Sequence, residues 1–368
     1  MNSHVTRSAV LTVALILIAA SAEASQTTQT TQPPPYSESS SYLPRKIDAK
    51  AVKNPSKDKH PTHLQKPVPA IPPAEREMTI AVAAWDRAGN FVRDLQPNEF
   101  ELFVDDQPVK IEKVETNTAP VRIVLLVDVS PSADSANKLF RDNAIQFLQS
   151  MRPTDQVMVV AFAEKSRIVS RFTDSRDKAI SALEKIGEDD GTSIYDTLGE
   201  LLSKDLTDSL DRTAIMIMTD GVDTTSKQYS YMTSLEVVEG TDAVVFPVYL
   251  DTSAFAPKSA NLPSSLSSMM SLRLPNMKDM KAEYERGRYY LTDMLLLSGG
   301  RPITINDVKS NFRSDFAKMR VVPEEIRSRY YVKFVVKQSG IARSRHALKV
   351  RVDRPGLAIL AKGSYVER

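Results

Sequence analysis

The sequence predicts an α/β chain whose middle forms an open, doubly wound, mostly parallel sheet, inserted in a small β-sandwich built from both chain ends. Three observations lead there. The runs at 121–128 (V-R-I-V-L-L-V-D), 157–162 (V-M-V-V-A-F) and 213–219 (T-A-I-M-I-M-T) lack the alternation of a half-buried strand and read as strands covered on both faces. Segments with helical spacing separate them, and strands alternating with helices give a sheet wrapped on both sides. The two ends carry shorter, alternating strands joined by turn residues.

Taken in order, Met1 to Ala24 reads as a secretory signal, with His4 and Arg7 at its start, an apolar run from Ala9 to Ala20, and Ala22-Glu23-Ala24 as the cleavage site. That apolar run falls short of the roughly 20 residues that a membrane helix needs, and no other stretch reaches it. The expectation is a mature chain without a membrane span, secreted or periplasmic. Residues 25–76 are rich in Gln, Thr, Ser, Pro and Lys, too poor in apolar surface to offset the entropy of ordering, and read as a disordered linker.

From Glu77 to Ala119 the chain alternates. Thr79 to Asp86 carries the single tryptophan, Trp85, and strands at Phe100–Val104 and Val109–Val114 meet at Asp105-Asp106-Gln107. So few strands do not close a sandwich. The segment 329–368 supplies the rest, with strands at 329–337, 342–353 and 357–362. In the second of these Arg343, Arg345, Lys349 and Arg351 share one face, and His346, Leu348, Val350 and Val352 the other; the first set reads as a solvated face, and His346 as a hydrogen-bonded core histidine.

The central domain spans 120–328. After the strand ending at Asp128 come a helix over Ser135–Met151, a strand over Val157–Phe162, an edge strand over Arg167–Phe172 reached by a hairpin, and a helix over Asp174–Ile186. A polar loop, Glu188 to Ser193, leads into a helix over Ile194–Ser203; strands follow at Thr213–Thr219 and Ala243–Leu250. Pro247 cannot donate to a ladder and predicts a bulge or an edge. Residues 251–286 read as a long insertion loop, either functional or mobile, with Met269, Met270, Met277 and Met280 as an adaptable surface. Helices close the domain near Tyr289–Ser298 and within Asn306–Ser328.

In such sheets ligands bind beyond the carboxyl ends of the strands, where the strand order reverses. Asp128, Ser130 and Ser132 stand at the end of one buried strand, Asp220 at the end of another, and Thr192 in a loop expected on the same edge. Two carboxylates and three hydroxyls suit a hard cation that prefers oxygen, Mg2+ or Mn2+, and do not suit zinc, which favours nitrogen and sulfur. So few negative charges leave room for an acidic ligand from outside. Helix capping by the same serines explains D-x-S-x-S alone equally well.

Composition excludes several classes. Net charge is +2 at pH 7, without the basic excess of a nucleic-acid binder. No cysteine is present, which removes disulfides, thiolate zinc and thiol catalysis. Phosphoryl transfer from a strand-end Asp remains as an enzyme alternative, but there is no G-x-x-x-x-G-K loop, and Ser130 stands where a second Asp would serve. The expectation is a protein that is not an enzyme.

D-V-S-P-S at Asp128, G-T-S at Gly191 and M-T-D-G at Met218, in that order, resemble the von Willebrand factor type A domain with its metal-ion-dependent adhesion site. The resemblance covers about 121–328. It implies that Asp128, Ser130, Ser132, Thr192 and Asp220 hold a metal, directly or through water, and that a protein partner's Asp or Glu completes the shell. The flanks W-D-R-A-G-N-F-V-R-D-L, N-E-F-E-L-F-V-D-D, V-R-V-D-R-P-G and A-K-G-S-Y resemble those of a secreted bacterial subfamily. Pro131 stands where glycine is common, and 251–286 is longer than usual. The expected function is an extracytoplasmic, metal-dependent protein-binding module; the alternative is a structural scaffold subunit with a fold-stabilising metal.

Overall fold

The computed structural model describes residues 37–39, 75–116, 119–130, 134–187, 189–206, 213–250, 277–305, 313–338, 341 and 343–367. The strands are β1 (Ser37–Glu38), β2 (Glu75–Trp85), β3 (Phe100–Val104), β4 (Gln107–Val109), β5 (Ile111–Thr116), β6 (Arg122–Asp128), β7 (Gln156–Phe162), β8 (Ser166–Thr173), β9 (Thr213–Thr219), β10 (Val244–Leu250), β11 (Ile303–Ile305), β12 (Tyr330–Lys337), β13 (Arg345–Val352), β14 (Ala358–Leu360) and β15 (Ser364–Val366). The helices are α1 (Asp134–Ser150), α2 (Arg176–Glu184), α3 (Ile194–Glu200), α4 (Tyr231–Glu239), α5 (Met277–Ser298) and α6 (Arg313–Ser328).

Six strands of the middle form one sheet in the order β11-β10-β9-β6-β7-β8. All pairings are parallel except the hairpin β7–β8 at the edge. The apolar runs follow from burial on both faces. Ile123, Leu125 and Val127 of β6 pack with Phe140 and Phe147 of α1, Leu183 of α2 and Val322 of α6. Val124 and Leu126 pack with Leu198 of α3, Leu235 of α4 and Met294 of α5. Each such side chain contributes about 1.5–3 kcal/mol by leaving water. Asp155 pins the start of β6, its Oδ1 accepting from Val121 N–H at 3.1 Å.

The chain proceeds from β6 to β7 and β8 on one side and resumes with β9, β10 and β11 on the other. The sheet therefore reverses between β6 and β9, the strands that end on Asp128 and just before Asp220. An open sheet leaves its crevice at such a reversal.

Both chain ends form antiparallel sheets. One has the order β14-β2-β12-β5, the other β1-β13-β3-β4 with β15 also on β13. Val82 and Ala84 of β2, Leu102 of β3, Val332 and Phe334 of β12, and Leu348 and Val350 of β13 share one apolar cluster. The β3–β4 turn places Asp105 (φ 49°) and Asp106 (φ 60°) in the left-handed region, the conformation of the two-residue hairpin turn that matches strand twist and tolerates Asp.

Several expectations are corrected. Within the expected linker, Ser37–Glu38 pair with Arg351 and Val352, held by short polar side chains: Ser39 Oγ accepts from Val350 N–H and Ser37 Oγ from Leu357 N–H, each at 2.9 Å. Glu75 and Arg76 already belong to β2, facing Lys337 and Val336 of β12. The loop expected over 251–286 ends ten residues early, because α5 begins at Met277; residues 251–276 lie outside the described set, as do Met1–Ala24. Pro247 makes no bulge. Its register against β9 is unbroken, Pro247 facing Ile217, and β11 pairs only from Val248 onward, so at Pro247 the other side of β10 is an edge, the second of the two expected outcomes. Strands β11 and β15 were not expected, since three residues are too few to show a period.

His346 bridges elements. Its Nδ1 lies 2.7 Å from Asp105 Oδ2 in the β3–β4 turn and its Nε2 lies 3.0 Å from Glu367 Oε1 beyond β15, while its ring stacks on Tyr365 at 5.0 Å. Substituting His346 by Ala is expected to lower stability by about 1–3 kcal/mol, since it leaves the buried Glu367 carboxylate short of a partner. Denaturant unfolding reads this, and an unchanged midpoint would contradict it.

Candidate functional site

Four of the five residues expected to form the site are described, and all four are buried at the carboxyl edge of the parallel sheet: Asp128 3%, Ser130 4%, Thr192 5% and Asp220 4% exposed. Ser132, like Pro131, lies outside the described residues. β6 delivers Asp128 and β9 delivers Asp220, one on each side of the reversal.

Asp128 is fixed at both oxygens. Its Oδ1 accepts from Ser130 N–H at 3.0 Å, and its Oδ2 accepts from the Thr219 hydroxyl at 2.7 Å. Thr219 Oγ1 in turn accepts from Gly221 N–H at 3.0 Å, and Asp220 Oδ1 accepts from Val222 N–H at 3.0 Å. Each aspartate thus accepts from an N–H two residues on, the local turn favoured by Asp. Gly221, at φ +79°, takes the left-handed conformation that lets the loop after Asp220 fold back.

Thr192 joins through its backbone. Its carbonyl accepts from Thr224 N–H at 2.8 Å and Thr225 N–H at 3.0 Å, and Asp189 N–H donates to Val129 O at 3.2 Å. Thr192 N–H donates to Thr224 Oγ1 at 2.9 Å. The loops after β6, before α3 and after β9 therefore close on one another. Gly191 (φ +74°) fits where a Cβ would sit 2.6 Å from Thr225 Cγ2.

The electrostatics are those of two acids forced together out of water. Burial, and then the charge of Asp220, push the Asp128 carboxyl up to about 7, against hydrogen bonds from Ser130 and Thr219 that favour its ionised form. Next along the loop, burial raises Asp223 as well; its Oδ2 accepts from Ser226 Oγ at 2.6 Å and from Tyr195 N–H at 3.2 Å at the start of α3. Among the described residues no group of three or more His, Cys, Asp or Glu side chains is set to hold a metal. The local donors are two acids supplemented by hydroxyls, all oxygen. Such a set fits a hard divalent cation, whose charge would relieve the repulsion between Asp128 and Asp220.

Thr219 escaped the sequence reading, although it is the hydroxyl that ties Asp128 to the Asp220 loop. Its signal was present in M-T-D-G, where it passed as the last residue of a buried strand. Thr224 and Asp223 had no comparable signal, because their roles depend on the loop before α3 meeting the loop after β9.

Residues 123–222 match the von Willebrand factor type A domain family, a span that contains Asp128, Ser130, Ser132, Thr192 and Asp220. No curated protein sequence matches the chain. Among solved structures, the chain is similar to the conserved hypothetical protein BatB from Bacteroides thetaiotaomicron, at 14% identity over 56% of this chain and 97% of that one, TM-score 0.38. It is similar also to a von Willebrand factor type A protein from Catenulispora acidiphila, at 13% identity over 80% and 72%, TM-score 0.39. A third likeness is to the vWF domain of the type V pili tip protein Mfa5 from Porphyromonas gingivalis, at 23% identity over 29% and 40%, TM-score 0.26.

Proposed function

We propose, for a chain whose residues 123–222 match the von Willebrand factor type A domain family, an extracytoplasmic binding module in which Asp128, Ser130, Ser132, Thr192 and Asp220 hold Mg2+ or Mn2+ and a protein partner's Asp or Glu completes the coordination. The observation that carries this reading is the pairing of two buried carboxylates across the sheet reversal, with Asp128 pushed up by burial and by Asp220. When bound, the cation supplies the positive charge to which an outside carboxylate is drawn. The chain's residues orient the donors: Ser130 N–H and the Thr219 hydroxyl fix the Asp128 carboxylate, and the Val222 N–H fixes that of Asp220. Two carboxylates only balance a divalent charge, so a third acid need not be repelled.

The signal-like segment 1–24 supports the extracytoplasmic placement. The two antiparallel sheets with their shared cluster support a sandwich of 75–119 and 329–368, with Ser37–Glu38 added at the edge on β13, holding the domain 120–328 between its strands. Among the described residues no helix is long and apolar enough to cross a membrane.

A scaffold with a fold-stabilising metal is the second reading, favoured by how little of either acid is exposed. A pull-down from the native cell envelope separates the two. Recovery of a partner with Mg2+, lost with chelator and lost in Asp128→Ala and Asp220→Ala, is the expected result. A chelator that lowers the melting temperature while recovery stays equal in every condition would support the scaffold and overturn the binding reading.

A further inference from the structure

Helix α5 touches the Asp220 loop through glycine on both sides. A Cβ placed on Gly287 would lie 2.7 Å from the Gly221 carbonyl carbon and oxygen and 3.2 Å from the Asp220 oxygen, and one placed on Gly221 would lie 2.9 Å from Gly287 O. These are backbone atoms, which cannot rotate aside. Gly287 stands inside a 22-residue helix, where Ala would be favoured by about 1 kcal/mol on propensity alone. The close approach of two backbones is a reason for Gly that overrides propensity.

The contact reaches the acids in two short steps. Gly221 N–H donates to Thr219 Oγ1, and the Thr219 hydroxyl donates to Asp128 Oδ2; Asp220 precedes Gly221 directly. The neighbouring residues of α5 secure the helix against the same side of the sheet. The Arg286 guanidinium lies over the Tyr231 ring at 5.8 Å. The Tyr290 hydroxyl lies 2.9 Å from Ser234 Oγ, and its ring stands edge-on to Tyr195 at 4.6 Å.

We infer that Gly287 is a positioning residue for the acid pair: the bare backbone of α5 is the wall against which Asp220 and Gly221 are set, so the position of α5 determines how the two carboxylates face each other. The inference rests on the reading of that pair as a divalent-cation site.

Calorimetric titration of the full chain with Mn2+ tests it, using wild type, Gly287→Ala and, as a control on the same helix, Tyr289→Ala, whose side chain is 59% exposed. Gly287→Ala is expected to weaken Mn2+ at least tenfold with its helical circular dichroism retained, while Tyr289→Ala stays within twofold of wild type. Equal affinity in wild type and Gly287→Ala would overturn the positioning role and leave the cation reading standing. Absence of Mn2+ binding by wild type would remove the cation reading itself, and the inference with it. Hydrogen exchange on the wild type gives a readout independent of whether Gly287→Ala folds: Mg2+ is expected to protect amides of 219–222 and of 284–290 together, and protection confined to 219–222 would overturn the inference.

Discussion

Replacing Asp128 by Asn is expected to abolish the stabilisation that Mg2+ gives the chain without lowering the melting temperature of the metal-free protein. Asn keeps the volume. Its Oδ1 can still accept from Ser130 N–H, and the second contact is kept with its direction reversed, Nδ2 donating to the Thr219 Oγ1 that donates to Asp128 in the native chain. What disappears is the charge that burial and Asp220 disfavour. For wild type, a cation at a hundredfold excess over its Kd adds about 2.7 kcal/mol, or roughly 5–11 °C at about 2–4 °C per kcal/mol for a domain of this size. Differential scanning calorimetry with and without Mg2+ reads both effects. A variant that still gains several degrees from Mg2+ would place the cation elsewhere.

Glu325→Ala is expected to cost about 3–5 kcal/mol, because it strands a buried guanidinium. Glu325 and Arg329 are both fully buried, with Arg329 Nη2 2.6 Å from Glu325 Oε1; Arg301 Nε bonds the other carboxylate oxygen. Arg329 also donates to Gly299 O at 2.8 Å and to Ala81 O at 3.3 Å. One side chain thus links the end of α6, the turn after α5 and β2 where the central sheet meets the antiparallel sheets. With Glu325 gone, two backbone carbonyls remain for a charge that water does not reach. The double variant Glu325→Ala, Arg329→Met removes the stranded charge and is expected to recover part of the loss. Urea unfolding measures both; a single-variant loss under about 1 kcal/mol would show that the carbonyls suffice.

Burial on both faces is what made the parallel strands legible. β6 and β9 leave an unbroken apolar run in the sequence because α1, α2 and α6 cover one side and α3, α4 and α5 the other. Asp128 and Asp220 were legible for the same reason, as the first charges after such runs. Side-chain hydrogen bonds to distant backbone leave no period, so Ser37–Ser39 read as linker although their hydroxyls secure them to β13 and to Leu357. Helix α5 was half hidden. Its C-terminal half carries Leu291, Met294, Leu295 and Leu297, but before it Lys281, Ala282, Glu283, Glu285, Arg286 and Arg288 offer no apolar stripe. The role proposed for Gly287 had no sequence signal, because a mid-helix glycine shows its reason only once the facing backbone is known.

The central claim, that Asp128 and Asp220 share one divalent cation whose shell the protein leaves incomplete, is tested most directly by Mn2+-dependent water proton relaxation. Wild type is expected to bind one Mn2+ with enhanced relaxation that falls when an acidic peptide is added, and Asp128→Asn and Asp220→Asn are expected to show no enhancement. Enhancement of equal size in wild type and both variants, or none in wild type, would contradict the account.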